Sequence, residues 1–140
     1  VDNFDLELFR KNNIIFTNST GMHKIQMSEY AVMSMVMLIR NMNFFMKNQY
    51  NNIWNQEITQ SQISGKTLGI LGLGSIGRET ARKAHFMVMK VIGINTSGIN
   101  KDDFIEKVYT LKDLDIVIKN SDFLINLLHK REKKKYLITL

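Results

Sequence analysis

The sequence contains no cysteine and no proline among its 140 residues. Without cysteine, a disulfide scaffold, a thiol nucleophile and a zinc site built on Cys ligands are all excluded. This composition fits a reducing compartment, and we expect a cytoplasmic location. The absence of proline is unusual, because an average content of about 5% would give roughly seven prolines in a chain of this length.

The sequence also lacks a hydrophobic run long enough to span a membrane. Its longest apolar stretch, Ala31 to Ile39, is interrupted by Ser34 and falls well short of the roughly 20 residues that a spanning helix needs. No basic segment followed by an apolar stretch opens the chain, so no secretory signal is predicted. Because the chain begins with Val1 and not with Met, we expect its start to be an interior point of a longer protein.

What is present is typical of one globular domain. Hydrophobic residues make up 44% of the chain and charged residues 23%, close to the averages for folded proteins. The net charge is +6, and most of the excess lies between His129 and Tyr136, where five Lys or Arg residues stand against Glu132. A cluster such as Lys130 to Lys135 is either a solvated loop or a contact for a polyanion. The sequence favours the loop and predicts neither a nucleic acid nor a membrane partner, because no aromatic side chain stands between the basic residues.

Residues 1–62 are predicted to hold a crossover segment, a short strand and a long apolar helix. The strand is Asn13 to Asn18, bounded by Asn and by a Ser-Thr-Gly turn. The helix runs from Ile25 to Tyr50, and its centre is apolar on all sides, so it must be covered on more than one face. Seven of the nine methionines lie between Met22 and Met46. An interdomain or dimerisation helix is one interpretation and ordinary core packing is the other. The polar stretch that follows, Asn48 to Gln62, marks the domain boundary.

Residues 63–140 alternate between strand and helix patterns. Strands are predicted at Thr67 to Leu71, Val91 to Ile94 and Phe123 to Leu128, and helices at Ile76 to Met87 and Lys112 to Lys119. This alternation is typical of the α/β class with a doubly wound parallel sheet and right-handed crossovers.

A G-x-G-x-x-G motif follows the first of these strands directly and opens the next helix. Its glycines are Gly72, Gly74 and Gly77. In the dinucleotide-binding fingerprint the first glycine permits a tight turn, the second lets the backbone approach a pyrophosphate, and the third lets the helix pack close to the strand. The amides of Ser75 and Ile76 would then point at the phosphates from a helix N-terminus that favours anions.

The end of the second strand bears on cofactor choice, because a carboxylate usually accepts the adenosine ribose hydroxyls there. This sequence has Asn95, which can hydrogen-bond a ribose but does not repel a 2′-phosphate. Thr96, Ser97 and Lys101 could contact such a phosphate. The choice between NAD and NADP is therefore left open, and the predicted cofactor is NAD(P).

The segment from Gly65 to Arg78 resembles the cofactor-binding segment of the D-isomer-specific 2-hydroxyacid dehydrogenases. Val1 to Leu6 is similar to the crossover into that domain, Met27 to Ala31 to the start of its interdomain helix, and Trp54 to an aromatic residue before the linker. The resemblance implies a Rossmann-type NAD(P)-binding domain, set between two pieces of a substrate-binding domain in a homodimer whose contacts include the long helix. Residues 63–140 would be an incomplete copy of that domain, with the substrate-binding domain missing at both ends.

Several positions depart from the family pattern. The helix after the fingerprint ends at a glycine in the family, and this chain has Val88 there. A Pro and two Thr residues that follow the third strand in the family are replaced by His129, Arg131 and Lys134. The family's catalytic Arg, Glu and His would lie beyond Leu140, so no catalytic residue and no metal ligand are assigned within the chain.

These features lead to three hypotheses about function. The first is the NAD(P)-binding portion of an oxidoreductase that interconverts 2-oxo acids and 2-hydroxy acids, present as a truncated or decaying copy that is inactive alone. The second is a non-enzymatic module that binds a nucleotide or phosphate and dimerises through the Met-rich helix. The third is an interaction protein that uses that helix or the basic cluster.

Overall fold

A computed structural model describes residues 4–128 of the chain, and a parallel β-sheet forms its centre. The four strands are β1 (Thr67–Leu71), β2 (Lys90–Ile94), β3 (Lys107–Tyr109) and β4 (Phe123–Asn126). Their spatial order is β3-β2-β1-β4, and all three pairings are parallel. The predicted α/β fold with a Rossmann-type parallel sheet is confirmed.

Helices connect and cover these strands. Those in the described residues are α1 (Leu6–Lys11), α2 (Lys24–Ile39), α3 (Met42–Tyr50), α4 (Ser75–Phe86) and α5 (Leu114–Lys119), with a 3₁₀ turn at Leu111–Asp113. None of the helices within residues 4–128 combines the length and apolar character that crossing a membrane would require.

The strand order creates a switch point beside β1. From β1 the chain adds β2 and then β3 on one side, and it returns to place β4 on the other side of β1. The connections on the two sides of β1 therefore run in opposite directions, which opens a crevice at the carboxyl ends of the strands. Ligands of open α/β sheets bind in such crevices.

Each face of the sheet has its own apolar core. On one face Leu68 and Ile70 of β1 are fully buried against α2 and α4. On the other face Leu71 of β1 packs with Val117 of α5. Consecutive strand residues point to opposite faces, so a strand covered on both sides is apolar throughout. This explains why the uninterrupted apolar run of β1 was recognisable in the sequence.

The single long helix predicted from Ile25 to Tyr50 is wrong, because the chain breaks between α2 and α3. Asn41 adopts a left-handed conformation with φ 53°, and its side-chain amide donates to the carbonyl oxygen of Thr59 at 3.2 Å. Asn tolerates this backbone better than other non-glycine residues, and the hydrogen bond fixes the turn. The partner of Asn41 lies 18 residues further along the chain, so the local sequence did not reveal the break.

Helix α2 owes its burial mainly to α4. Met35 of α2 is buried in one core cluster with Ala81 and Ala84 of α4, and Val32 and Val36 pack against the same cluster. Lys83 of α4 also reaches Glu29 of α2 at 3.4 Å. Part of the apolar surface of α2 is thus ordinary core, while other large side chains on it remain exposed.

The predicted strand at Asn13 to Asn18 is also wrong, since these residues form no strand ladder. Helix α1 precedes them, and its first turn is capped by Asp5, whose carboxylate accepts from the amides of Glu7 and Leu8 at 3.0 Å each. A pair of isoleucines and a phenylalanine suggested a strand, but none of the four strands within residues 4–128 pairs with them. Phe16 instead packs with Phe9 at 5.3 Å between ring centroids.

Val88, which stands where the family has a glycine, lies just after the end of α4 and has a positive φ of 63°. The amide of Val88 donates to the carbonyl of His85 at 2.9 Å, and the amide of Met89 donates to the carbonyl of Ala84 at 3.1 Å. These two bonds define a Schellman motif, in which the left-handed position is usually glycine. Here a β-branched residue occupies it.

Candidate functional site

A cleft of about 780 Å³ lies at the carboxyl ends of β1, β2 and β4. It is the crevice that the switch point of the sheet creates. The lining residues are Gly72, Leu73, Gly74, Ile94, Asn95, Thr96, Thr110, Leu111, Lys112, Leu127 and Leu128.

Most of the predicted cofactor residues converge at this cleft. Those in its lining are Gly72, Gly74, Asn95 and Thr96, while Ser75, Ile76 and Gly77 form the first turn of α4 at its edge, and Ser97 lies in an adjoining pocket. The amides of the first helical turn have no partner within a helix, and the N-cap Gly74 has no side chain to accept from them. This end of α4 is suited to an anion.

Two glycines of the motif are required by the fold itself. Gly72 has φ 106°, a conformation that residues with a side chain rarely adopt. A β-carbon on Gly77 would overlap the carbonyl oxygen of Gly72, so the close contact between α4 and the turn depends on its absence. Neither glycine, taken alone, points to a ligand.

Gly74 is different, because nothing in the described part of the fold requires it. Its φ of −80° and ψ of −164° are extended backbone values that any residue can adopt. A β-carbon built on it meets no atom of residues 4–128 within 4 Å. The space that a side chain would fill lies at the cleft, beside the free amides of α4. The position therefore fits the close approach of a phosphate-bearing ligand, which is the role that the second glycine has in the dinucleotide fingerprint.

The side chain of Asn95 is committed to its own loop. Its Oδ1 atom accepts from the amides of Ser97 and Gly98 at 3.0 and 2.6 Å, and its Nδ2 atom donates to the carbonyl of Ile99 at 3.0 Å. A ribose hydroxyl would have to compete with these bonds. Asn95 thus shapes the edge of the cleft through the loop that it stabilises, and Thr96 is left exposed at that edge.

Seven of the eleven lining residues were not among the predicted cofactor residues, and Thr110, Lys112 and Leu127 are three of them. Thr110 follows β3 and forms a capping box with Asp113, whose carboxylate accepts from the Thr110 hydroxyl at 2.8 Å. This arrangement places the exposed Lys112 at the rim, and Leu127 follows β4. The T-x-x-D spacing is a recognisable capping signal that would have located the start of this turn.

No described side chains form a catalytic acid–base pair in the cleft. His23 occupies the N-cap position of α2 without a side-chain capping bond, and His85 lies in the last turn of α4 with its ring 6.0 Å from that of Phe86. His129, with the rest of the basic cluster, lies outside the described residues. Within residues 4–128 no three His, Asp or Glu side chains are grouped to hold a metal ion.

The carboxyl groups with shifted pKa values also lie away from the cleft. A hydrogen bond from Arg82 lowers the pKa of Glu79 on α4, and a hydrogen bond from the Thr67 amide lowers the pKa of Asp122 at the amino end of the sheet. In both cases the hydrogen bond stabilises the charged form of the carboxylate. Neither of these carboxylates belongs to the lining of the cleft.

Comparison with known proteins agrees with this geometry. Residues 32–140 match the family model described as "D-isomer specific 2-hydroxyacid dehydrogenase, NAD binding domain". Over 125 residues the chain is 30% identical to D-3-phosphoglycerate dehydrogenase of Synechocystis sp., covering 89% of this chain and 22% of that protein. It is 29% identical over 125 residues to hydroxypyruvate reductase of Thermotoga maritima, covering 89% of this chain and 40% of that protein.

A solved structure shows the same relationship. The NADPH-dependent glyoxylate/hydroxypyruvate reductase of Sinorhizobium meliloti, in complex with NADP and sulfate, superposes with a TM-score of 0.70 at 27% identity. The match covers 85% of this chain and 36% of that one. The chain thus spans less than half the length of each of these three proteins. Because the family model extends over most of its residues, the chain belongs to the D-isomer-specific 2-hydroxyacid dehydrogenase family and corresponds to that family's NAD-binding domain.

Proposed function

We propose that the chain binds NAD(P) in the cleft and serves, as the cofactor-binding portion of an oxidoreductase, in the interconversion of 2-oxo acids and 2-hydroxy acids. The observation that carries this proposal is the open space at Gly74, which the fold does not require and a pyrophosphate would use. The family membership and the position of the cleft at the switch point support it.

Particular residues would hold each part of the cofactor. The amides of Ser75 and Ile76 would bind the pyrophosphate at the start of α4, where the helix dipole favours negative charge. The Asn95 loop, with Thr96 and Ser97, would lie at the adenosine ribose. The bound nicotinamide ring supplies the hydride chemistry. The chain's own contribution is to bind and orient the dinucleotide.

A binding measurement tests this proposal. We expect titration calorimetry to detect binding of NADH or NADPH to the purified chain, and Gly74→Val to abolish it. The extended backbone at Gly74 accepts valine, so circular dichroism of the variant should match that of the parent. Ser64→Val is a matched control, because it places the same valine side chain in an exposed loop before the amino end of β1. Equal affinity in the parent and in folded Gly74→Val would refute the cofactor assignment.

The cofactor preference is expected to be weak. Asn95 carries no charge to repel a 2′-phosphate, so we propose less than tenfold preference for NAD over NADP, equivalent to about 1.4 kcal/mol. Parallel titrations with NADH and NADPH measure the ratio. A strong preference for NADH would contradict the proposal.

We also propose that the chain forms a homodimer through α2, in a cytoplasmic setting. Large apolar side chains of α2 that remain exposed, Tyr30, Met33 and Leu38, support an interface on this helix. Sedimentation analysis should show a dimer, and Leu38→Glu should shift it toward monomer because the new charge would be buried without a partner. A parent chain that is monomeric at high micromolar concentration would exclude the homodimer.

A further inference from the structure

A small polar pocket of about 230 Å³ adjoins the cleft on the far side of the Asn95 loop. Three charged residues contribute to its lining: Arg78 from α4, and Lys101 and Asp102 from the connection between β2 and β3. The guanidinium of Arg78 makes two hydrogen bonds to Asp102, because its Nε and Nη2 atoms both donate to Asp102 Oδ2, at 2.8 and 2.6 Å. The Asp102 side chain is only 17% exposed, compared with 42% for that of Arg78.

Asn95 cannot discriminate between a 2′-hydroxyl and a 2′-phosphate at this pocket. It is uncharged, and the hydrogen bonds of both ends of its side chain are used within its own loop. Discrimination between a ribose hydroxyl and a ribose phosphate depends on charge, because a phosphate ester carries about −1.5 to −2 at neutral pH. The charges that face the pocket therefore decide the outcome.

We propose that Asp102 is the carboxylate that determines selectivity between NAD and NADP in this chain. The end of strand β2 lacks a negative charge, and Asp102 supplies one from the loop that follows. Arg78 is its positioning residue: the two hydrogen bonds hold the carboxylate at the pocket. This inference rests on the proposed function, because it takes the pocket to receive the adenosine 2′ position.

The charge balance of the pocket accounts for the weak preference proposed above. Asp102 offsets the charge of Arg78, and Lys101 remains as an exposed cation at the pocket. A 2′-phosphate would meet one opposing carboxylate and two cations, one of which is already paired. Removing the carboxylate charge leaves both cations to attract the phosphate, whereas a 2′-hydroxyl is nearly indifferent to the change.

Adenosine 2′,5′-bisphosphate and 5′-AMP are suitable probes, since they differ only in the 2′-phosphate. We expect Asp102→Asn to raise affinity for the bisphosphate by on the order of tenfold through the lost repulsion, while affinity for 5′-AMP changes less than about twofold. Asp102→Glu restores the charge and should return the ratio toward that of the parent. The gain should shrink as salt is raised, because screening weakens exposed charges.

Asp103→Asn is the matched control. It removes the same charge from the adjacent, exposed residue, which does not contribute to the pocket lining. We expect it to change the affinity ratio by less than about threefold, because it alters only the more distant field. An equal gain in Asp103→Asn and Asp102→Asn would overturn the assignment to Asp102.

A second variant tests the pocket without changing Asp102, so the test does not depend on the folding of Asp102→Asn. Lys101→Gln leaves the pair of Arg78 and Asp102 intact and removes the remaining cation, so affinity for the bisphosphate should fall by on the order of tenfold, with 5′-AMP binding preserved. If the parent binds 5′-AMP and neither Asp102→Asn nor Lys101→Gln changes the ratio, the inference about this pocket is wrong. If the parent binds neither probe nor NADH, the proposed function itself fails.

Discussion

Replacing Val88 by glycine should stabilise the protein. Val88 is the left-handed residue of the Schellman motif that ends α4, and its φ of 63° brings its β-carbon close to backbone atoms. The other non-glycine residues with positive φ in the described part are Asn13, Asn41 and Asn52. Asparagine tolerates this region, but a β-branched residue there is a genuine outlier.

The size of the effect follows from three contributions. Strain of a β-branched residue at this φ is about 2 kcal/mol, at the upper end of the usual range for left-handed residues. Glycine costs about 0.75 kcal/mol in chain entropy, taking the middle of its usual range. Val88 is 68% exposed, so losing its buried third costs about 0.5 kcal/mol. The net gain for Val88→Gly is a little under about 1 kcal/mol.

Urea unfolding measures this gain as a higher midpoint with an unchanged slope. Asn52→Gly is a matched control, because Asn52 occupies the same position of a Schellman motif at the end of α3, where the Ile53 amide donates to the Asn48 carbonyl at 2.9 Å. Since asparagine is already suited to this conformation, its replacement should change stability by less than about 0.5 kcal/mol. A lower midpoint in Val88→Gly, or an equal gain in Asn52→Gly, would refute the strain argument.

Three further outcomes are expected. A hydrogen bond from the Thr67 amide at 2.8 Å and the nearby Lys66 lower the pKa of Asp122. The Asp122 carboxylate should therefore stabilise the fold above its unfolded-state pKa, and this stabilisation should be lost as pH falls through the lower folded-state pKa. The urea midpoints of the parent and Asp122→Asn should differ at pH 7 and converge at low pH. Gly77→Ala should destabilise by about 2 kcal/mol or more, because its β-carbon overlaps backbone, whereas Gly74→Ala should be nearly neutral in thermal unfolding. The isolated chain should not oxidise NADH or NADPH with 2-oxo acids, since no acid–base pair is formed by its described residues; turnover at roughly 1 per second or faster would show that a catalytic group exists within the 140 residues.

The sequence predicted the parts of the fold that carry strong local signals. Strand β1 has the bounds expected from its apolar run, and α4 begins one residue before its predicted start, because the glycine motif marks the turn between them. Strand β3 was missed, since three residues are too few to show a period. The break between α2 and α3 was missed for another reason: it depends on the contact between Asn41 and Thr59, and such contacts between distant residues leave no periodic trace.

The candidate site was predictable at the glycine motif and less so after β2. The motif gives each of its three glycines a separate role, and the structure agrees that the backbone requires Gly72 and Gly77, whereas nothing in residues 4–128 requires Gly74. At the end of β2 the expected ribose contact, Asn95, is occupied by its own loop. The N-x-S-G spacing of that loop is a turn signal that would have shown this. Asp102 lies in a connection without regular structure, so only the folded chain brings its charge beside Arg78 and makes it a candidate for selectivity.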